Sequence, residues 1–420
     1  MNGKIIKTNY ESKYQYPFGV IEYHDGSGTK EIQYNQFSLF KGLSIKEFKE
    51  NEDVEFSVNS DKNGKLVPCY LRHTLTKQPN SDYKLTEWAF INYEDFNDLA
   101  NNRLLPGEQW YFGETQPTYK MSNGPDIQRH PLLEIYLNYT YKKLCHENKV
   151  LISKVDPDYA AFNTGLVDKT YNDIYALFII NPQAGKQPWK LVSFTIKGVK
   201  SKQGFKNITD LFSDFPERAQ YFDSGEKGLK QMFLKPKAAI DLDYDHIKKR
   251  LGRLPEYLLE AIFGKGKIKD KKTLESLSQE DRENYFQSLQ NILQKDSDVD
   301  SNFQSRFEKA IEIAKKRTEW NYKTAIPCYY PRDDKMTMLL PLCFDTKRTK
   351  VDVALVVSLQ DSGRYRGETI LEIPMAYSDS RLVTRPDSDW LNTFAIDDAK
   401  EAQKINEDKD LFDSINDEQL

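Results

Sequence analysis

The chain has 420 residues, with 60 Lys and Arg against 64 Asp and Glu, for a formal net charge of −4. That length exceeds one ordinary core and predicts two or three domains, and 39% hydrophobic with 13% aromatic content excludes wholesale disorder. No apolar run reaches the length of a membrane span, and the N-terminus lacks the basic start and apolar centre of a secretion signal.

Residues 1–73 read as short strands: "GKIIK", "PFGVIEY", "KEIQYNQF" and "DVEFSV" are separated by "HDGSG" and "DKNGK", which are hairpin turns of the Asp-Gly and Asn-Gly kind. Four or five such strands suit a small all-β barrel. A polar linker, 74–81, is broken by Pro79. Residues 82–396 form a larger α+β domain. "LTEWAFINYEDFNDLAN" predicts a helix entered through Thr86, and 110–126 is a loop. Over 131–146 an amphipathic helix is predicted, with Leu132, Ile135, Tyr136, Tyr139 and Leu144 at helical spacing. Strands follow at "KVLISKV", "YAAFN", "NDIYALFII" and "WKLVSFTI". A helical insertion covers about 245–320, and strands return at "KMTMLLPLCF", "VDVALVVSL" and "ETILEIPMAY". Without βαβ alternation this pattern implies a mostly antiparallel sheet. The tail 397–420, with 9 acidic and 3 basic residues, is expected to be disordered.

Charge is uneven. Between Lys186 and Lys272 stand 20 Lys and Arg against 11 Asp and Glu, so this segment suggests a phosphate-bearing partner. The cysteines Cys69, Cys145, Cys328 and Cys343 include no CxxC pair and are expected to be reduced, in a cytoplasmic protein. Five histidines without HxxxH or HExxH spacing argue against structural zinc. No metal or cofactor is expected.

In its order of turns and strands, "YPFGVIEYHDGSGTKEIQYNQF" followed by "NEDVEFSVNSDKNGKLVP" resembles a cold-shock domain, an OB-type barrel. The resemblance implies single-stranded RNA as partner, with Tyr14, Tyr16, Phe18 and Tyr34 as candidate contacts. Val20, Gln33 and Asn35 stand where that family carries aromatic or His residues, which thins the stacking platform. From Trp88 to Leu391, "FNTGLVDKTYNDIYALF", "HIKKRLGRLP", "MTMLLPL", "VDVALVV" and "ETILEIPMAYSDSRLVTRPDSDWL" resemble the OST-HTH-associated domain, a family of uncharacterised activity linked to RNA.

Several polar motifs fit a phosphate or nucleotide ligand. In "AFNTGL", Asn163 and Thr164 offer donors and acceptors and Gly165 an unshielded amide, although a plain structural turn uses the same residues. His246 is the candidate catalytic group, with Arg250 and Arg253 after it. Arg381 and Arg385 could form a two-arginine clamp, with pairing to Asp379, Asp387 or Asp389 as the competing explanation. The acidic alternation Asp241, Asp243, Asp245 has a metal-binding look but lacks the EF-hand's downstream Gly and Glu. Three roles are expected: RNA binding in processing or surveillance, a phosphoester- or nucleotide-processing enzyme, and a protein-interaction adaptor.

Overall fold

The computed structural model describes residues 1–10, 17–39, 44–61, 64–73, 78–120, 125–181, 187–331, 333–345 and 350–393. Tyr14, Tyr16, the first half of the linker and the acidic tail lie outside the described residues.

The first five strands are β1 (Asn2–Asn9), β2 (Phe18–His24), β3 (Thr29–Asn35), β4 (Asp53–Ser60) and β5 (Leu66–His73), in the order β3-β2-β1-β4-β5. All pair antiparallel, and a bridge between Leu39 and Leu71 brings the two edges together into a nearly closed barrel. Alternation decides the core: Ile21 and Tyr23, Ile32 and Tyr34, Val54 and Phe56 all point inward. Bulges at Ile5/Lys7 and Glu55/Ser57 bend the sheet enough to close it.

The chain then forms α1 (Leu85–Trp88), β6 (Ala89–Phe90) and α2 (Tyr93–Asp98), which runs into a π turn over Leu99–Arg103. The single helix expected here is therefore interrupted. Ala89 and Phe90 pair with Trp189 and Lys190, and this ladder holds them extended. Its entry is Lys84, whose amide donates to the Glu87 carboxylate, not Thr86. A two-stranded ladder, β7 (Thr118–Tyr119) with β8 (Ile127–Gln128), precedes α3 (Pro131–His146). This helix has the expected bounds but is not amphipathic. Glu134, Asn138, Thr140 and Lys143 are buried along with its apolar residues.

Next come β9 (Leu151–Ile152), β10 (Tyr159–Val167), β11 (Asp173–Ile180), β12 (Trp189–Ile196), α4 (Ile208–Leu211) and α5 (Gly225–Met232). Strand β13 (Ile240–Leu242) follows, then α6 (Tyr244–Lys248), α7 (Glu256–Phe263), α8 (Lys271–Ser276), α9 (Gln279–Lys295) and α10 (Ser297–Trp320). The last strands are β14 (Ile326–Tyr330), β15 (Lys335–Leu342), β16 (Val353–Leu359) and β17 (Tyr365–Leu371), and α11 (Ile373–Val383) ends the described fold. "ETILEIPMAY" is thus strand only to Leu371. Pro374, in the first turn, begins a helix where a strand was expected.

Contacts divide the described residues into two compact units, one built from Met1–Pro106 and Thr140–Ala219, the other from Gly107–Tyr139 and residues 220–393. Beside the barrel, the first unit holds the sheet β6-β12-β11-β10-β9. Tyr159, Ala161, Tyr175 and Leu177 pack with Ile208 and Leu211 of α4, and Trp88 meets Tyr141, Phe178 and Trp189 at 5.1–5.5 Å. The second unit holds the sheet β13-β17-β16-β15-β14. Met338, Leu340, Val353 and Leu355 face Phe303, Phe307 and Leu259 of the helical insertion, and α11 packs against β14. Both sheets are antiparallel except at the edge pairs β6–β12 and β13–β17.

The barrel also corrects one expected contact. Tyr34 is 1% exposed, and its hydroxyl shares a hydrogen bond of 2.5 Å with Tyr10, so it is core and not a stacking surface. Gly19 lies flat against that ring, and a Cβ there would come within 2.4 Å of it. Gly19→Ala should therefore lower barrel stability by roughly 1–3 kcal/mol, read as a lower urea midpoint at unchanged slope. A midpoint equal to the parent's would show that the Tyr34 ring yields freely.

Candidate functional site

Asn163, Thr164 and Gly165 belong to the first unit; His246 and the four arginines belong to the second. "NTG" is not the hairpin turn between β10 and β11. That turn is made by Asp168–Asn172, where the Asp168 carboxylate accepts from the amides of Thr170 and Asn172. "NTG" is a bulge inside β10, with the register shifting between Asn163 and Val167 and Gly165 at φ +73°. Asn163 and Thr164 are buried. Asn163 Oδ1 accepts from the Gly165 amide, and the Thr164 hydroxyl donates to Ile174 O at 2.7 Å and accepts from Leu166 N. These groups satisfy the backbone that the bulge leaves unpaired.

Arg381 and Arg385 are both directed to the segment at 107–108. Arg381 forms a two-pronged ion pair with Glu108, both nearly enclosed, while Arg385 donates to Gly107 O. The Arg381 guanidinium lies 4.7 Å from the Trp110 ring and 4.8 Å from the Tyr136 ring. Burial alone would release its proton, but the Glu108 carboxylate holds it on. Helix α11 stops at Val383, so the two arginines do not share a helical face. The expected clamp is filled by the protein's own carboxylate.

The acidic motif is neutralised in a similar way. Asp241 is on β13, Asp243 caps α6, and Asp245 lies within the helix, so the three do not line one strand face. Arg364, just before β17, and Arg366, within it, pair with Asp241 at 2.5 Å and Asp243 at 2.5 Å. Among the described residues no three acidic, His or Cys side chains are placed to hold a metal ion. These pairs border an open cleft of about 650 Å³ with Tyr244, Gln360 and Ser362.

His246 sits one turn into α6, half-buried, and its amide donates to Asp243. Burial, then the positive charges of Arg250 and Arg253, lower its proton affinity, with Asp243 opposing. Arg253 donates to Ile370 O at 2.8 Å, and its charge also reaches Asp379 on α11. Asp379 is 4% exposed, and among the described residues no group hydrogen-bonds its carboxylate. Desolvation raises its pKa from 3.8 to about 8, Arg253 opposing. Nearby, burial and then the charge of Asp379 hold Tyr139 and Cys328 in their protonated forms, and the Cys328 thiol meets the Thr337 hydroxyl at 2.9 Å. The arrangement runs from a neutral imidazole, past guanidinium groups, to an enclosed acid able to keep or give a proton near neutral pH.

Sequence reasoning named His246, Arg250 and Arg253 but not Asp379 as a site. Nothing in "YSDSRL" separates a buried acid from a surface one. It also passed over the enclosed pair of Arg129 with Glu134 at 2.9 Å and the buried His130, whose pKa burial lowers to about 4. Here a signal existed: His130, Glu134 and Asn138 recur at every fourth position in an otherwise apolar stretch.

The family profile for a domain of unknown function, DUF3825, matches residues 102–390. The chain belongs to the DUF3825 family. The matched span of this DUF3825 member includes both the β10 bulge and the His246–Asp379 cluster. No curated protein matches the chain, and no solved structure matches it.

Two outcomes follow from these buried charges. Arg381→Met, which leaves Glu108 enclosed and unpaired, should cost about 3–5 kcal/mol, and adding Glu108→Gln should recover part of it; additive losses in a urea double-mutant cycle would mean the two are not coupled. For Asp379 the folded-state pKa lies above the unfolded one. Its contribution is therefore fully present below pH 3.8 and is lost as pH rises toward about 8. Melting temperature should fall across that window in the parent and fall less in Asp379→Asn. Parallel profiles would remove Asp379 from the account.

Proposed function

We propose that this protein binds single-stranded RNA, with the barrel as its nucleic-acid face and the His246–Arg253 cluster of the large region as a phosphate or nucleotide site. The observation that carries this reading is Phe37. It is 94% exposed on the short 3-10 turn directly after β3. A ring left in water on a barrel rim is suited to stacking on an unpaired base. Phe18 supports it from the same end of the sheet, because it points outward and pairs with Asn35, two residues before Phe37. Lys4 and Lys7 of β1 are exposed and supply cations for the backbone, while Glu22 and Glu31 keep the face from being strongly basic. The resemblance to cold-shock domains, and that of the large region to the OST-HTH-associated family, point the same way. A role in RNA processing or surveillance in the cytoplasm fits these resemblances and the four unpaired cysteines.

A second reading is a phosphoester- or nucleotide-processing enzyme. It is favoured by Asp379, since an enclosed acid that titrates near neutral pH costs stability and suits proton transfer.

The binding reading is tested with Phe37→Ala. Because the ring buries little, the fold should be unchanged, while affinity for an oligouridylate drops by about 1–3 kcal/mol. Fluorescence anisotropy at low and moderate salt measures this. No detectable binding by the parent at low salt would end the proposal.

A further inference from the structure

The basic segment between Lys186 and Lys272 is divided between the two units. Its described members from Lys190 to Arg218 belong to the first unit and the others to the second. Several are neutralised within their own unit: Lys202 by Asp95, Lys206 by Asp156, and Lys248 by Asp300. The stretch "GKGKIKDKK" (264–272), which joins α7 to α8, differs from these. It carries five lysines in nine residues. Among the described residues, Lys265, Lys267, Lys269 and Lys272 are exposed and form no ion pair. The one acid among them, Asp270, is engaged as the cap of α8, accepting from the amide and hydroxyl of Thr273.

Two further features point to a particular polyanion. Gly264 and Gly266 hold left-handed backbone at φ +103° and +79°, and nothing lies within 4 Å of where a Gly266 Cβ would be. The open side of Gly266 leaves room for an oxyanion to approach the backbone there. Beside the loop, α9 presents Tyr285 and Phe286, both half-buried, with ring centroids 5.1 Å apart. The loop is fastened to them, since the Lys269 amide donates to the Tyr285 hydroxyl at 3.0 Å and Lys269 Nζ stands 5.1 Å from the Tyr285 ring. A lysine-only loop would suit any polyanion. Lysines set around a partly exposed aromatic pair suit a backbone whose bases are free to stack.

We infer that the Gly264–Lys272 loop, together with Tyr285 and Phe286, is a second contact surface for single-stranded RNA, on the large region and separate from the barrel. Lys265, Lys267 and Lys272 meet phosphates, Lys269 bridges phosphate and ring, and Tyr285 offers an edge or face to one base. This rests on the RNA-binding reading and adds where on the large region the strand is held.

The test uses the full chain with Lys265, Lys267, Lys269 and Lys272 all changed to Gln, and oligouridylate as the probe. Because the four side chains are exposed, the variant should melt with the parent. Its affinity should fall at least tenfold at low salt, and the slope of log affinity against log salt should flatten by about 2–3, at roughly 0.7 for each lost phosphate contact on a single strand. Tyr285→Leu, with its melting temperature checked, should weaken binding to the oligonucleotide without changing that slope. If Phe37→Ala loses affinity while the lysine variant keeps both affinity and slope, this inference fails and the barrel reading stands. If the parent does not bind oligouridylate at all, both fail. Equal losses for a duplex of the same length, or a loss seen only with phosphatidylserine vesicles, would overturn the assignment to a single strand.

Discussion

The second unit is held together by a charge it should not be able to bury. Glu108 and Arg381 are 273 residues apart in sequence and form an enclosed two-pronged pair, with the guanidinium bracketed by Trp110 and Tyr136. Neither charge would leave water alone. Removing both from solvent is tolerable because the geometry satisfies the carboxylate twice and the aromatic faces supply the remaining attraction. This pair explains why Gly107–Tyr139 belongs with a sheet and helices that begin more than a hundred residues later. Arg385 on Gly107 O, Phe112 on Tyr377 and the Gly113 amide on Thr393 O repeat the same attachment without a second carboxylate.

Once α11 is fixed by Arg381, its neighbour two positions earlier is fixed as well. Asp379 then lies buried toward Cys328 and Tyr139, and among the described residues no group hydrogen-bonds its carboxylate. A side chain in that position works against folding at neutral pH. Proteins keep such groups where a function needs them more than stability does. The Arg129–Glu134 pair shows the contrasting solution: it is equally enclosed, but the acid there has a partner at 2.9 Å.

Charge compensation also limits what the surface offers. Asp241 and Asp243 are matched by Arg364 and Arg366, which the parallel edge of β13 with β17 brings alongside them. A motif that reads as a cation site in one dimension is a salt-bridged sheet edge in three. Where no such partner exists among the described residues, as at Lys265, Lys267, Lys269 and Lys272, the charge remains available to another molecule.

The sequence by itself determined the local architecture. Period-2 apolar patterns with Asp-Gly and Asn-Gly turns specified a barrel. Pro131 and the spacing of Leu132, Ile135 and Tyr139 specified α3 to the residue, because hydrophobic periodicity and turn chemistry are written within a few positions of one another. It did not determine where tertiary pairing overrides local preference. The ladder from Ala89 to Trp189 broke a predicted helix, and Pro374 turned a predicted strand into α11. Nor did it determine which polar residues are free. Whether Asn163 serves a ligand or a bulge, whether Tyr34 stacks or packs, and whether Arg381 waits for a phosphate or holds Glu108 depend on residues far away in the chain. Only the folded backbone brings those partners within hydrogen-bonding distance, since burial and charge pairing are properties of position in space and not of residue type.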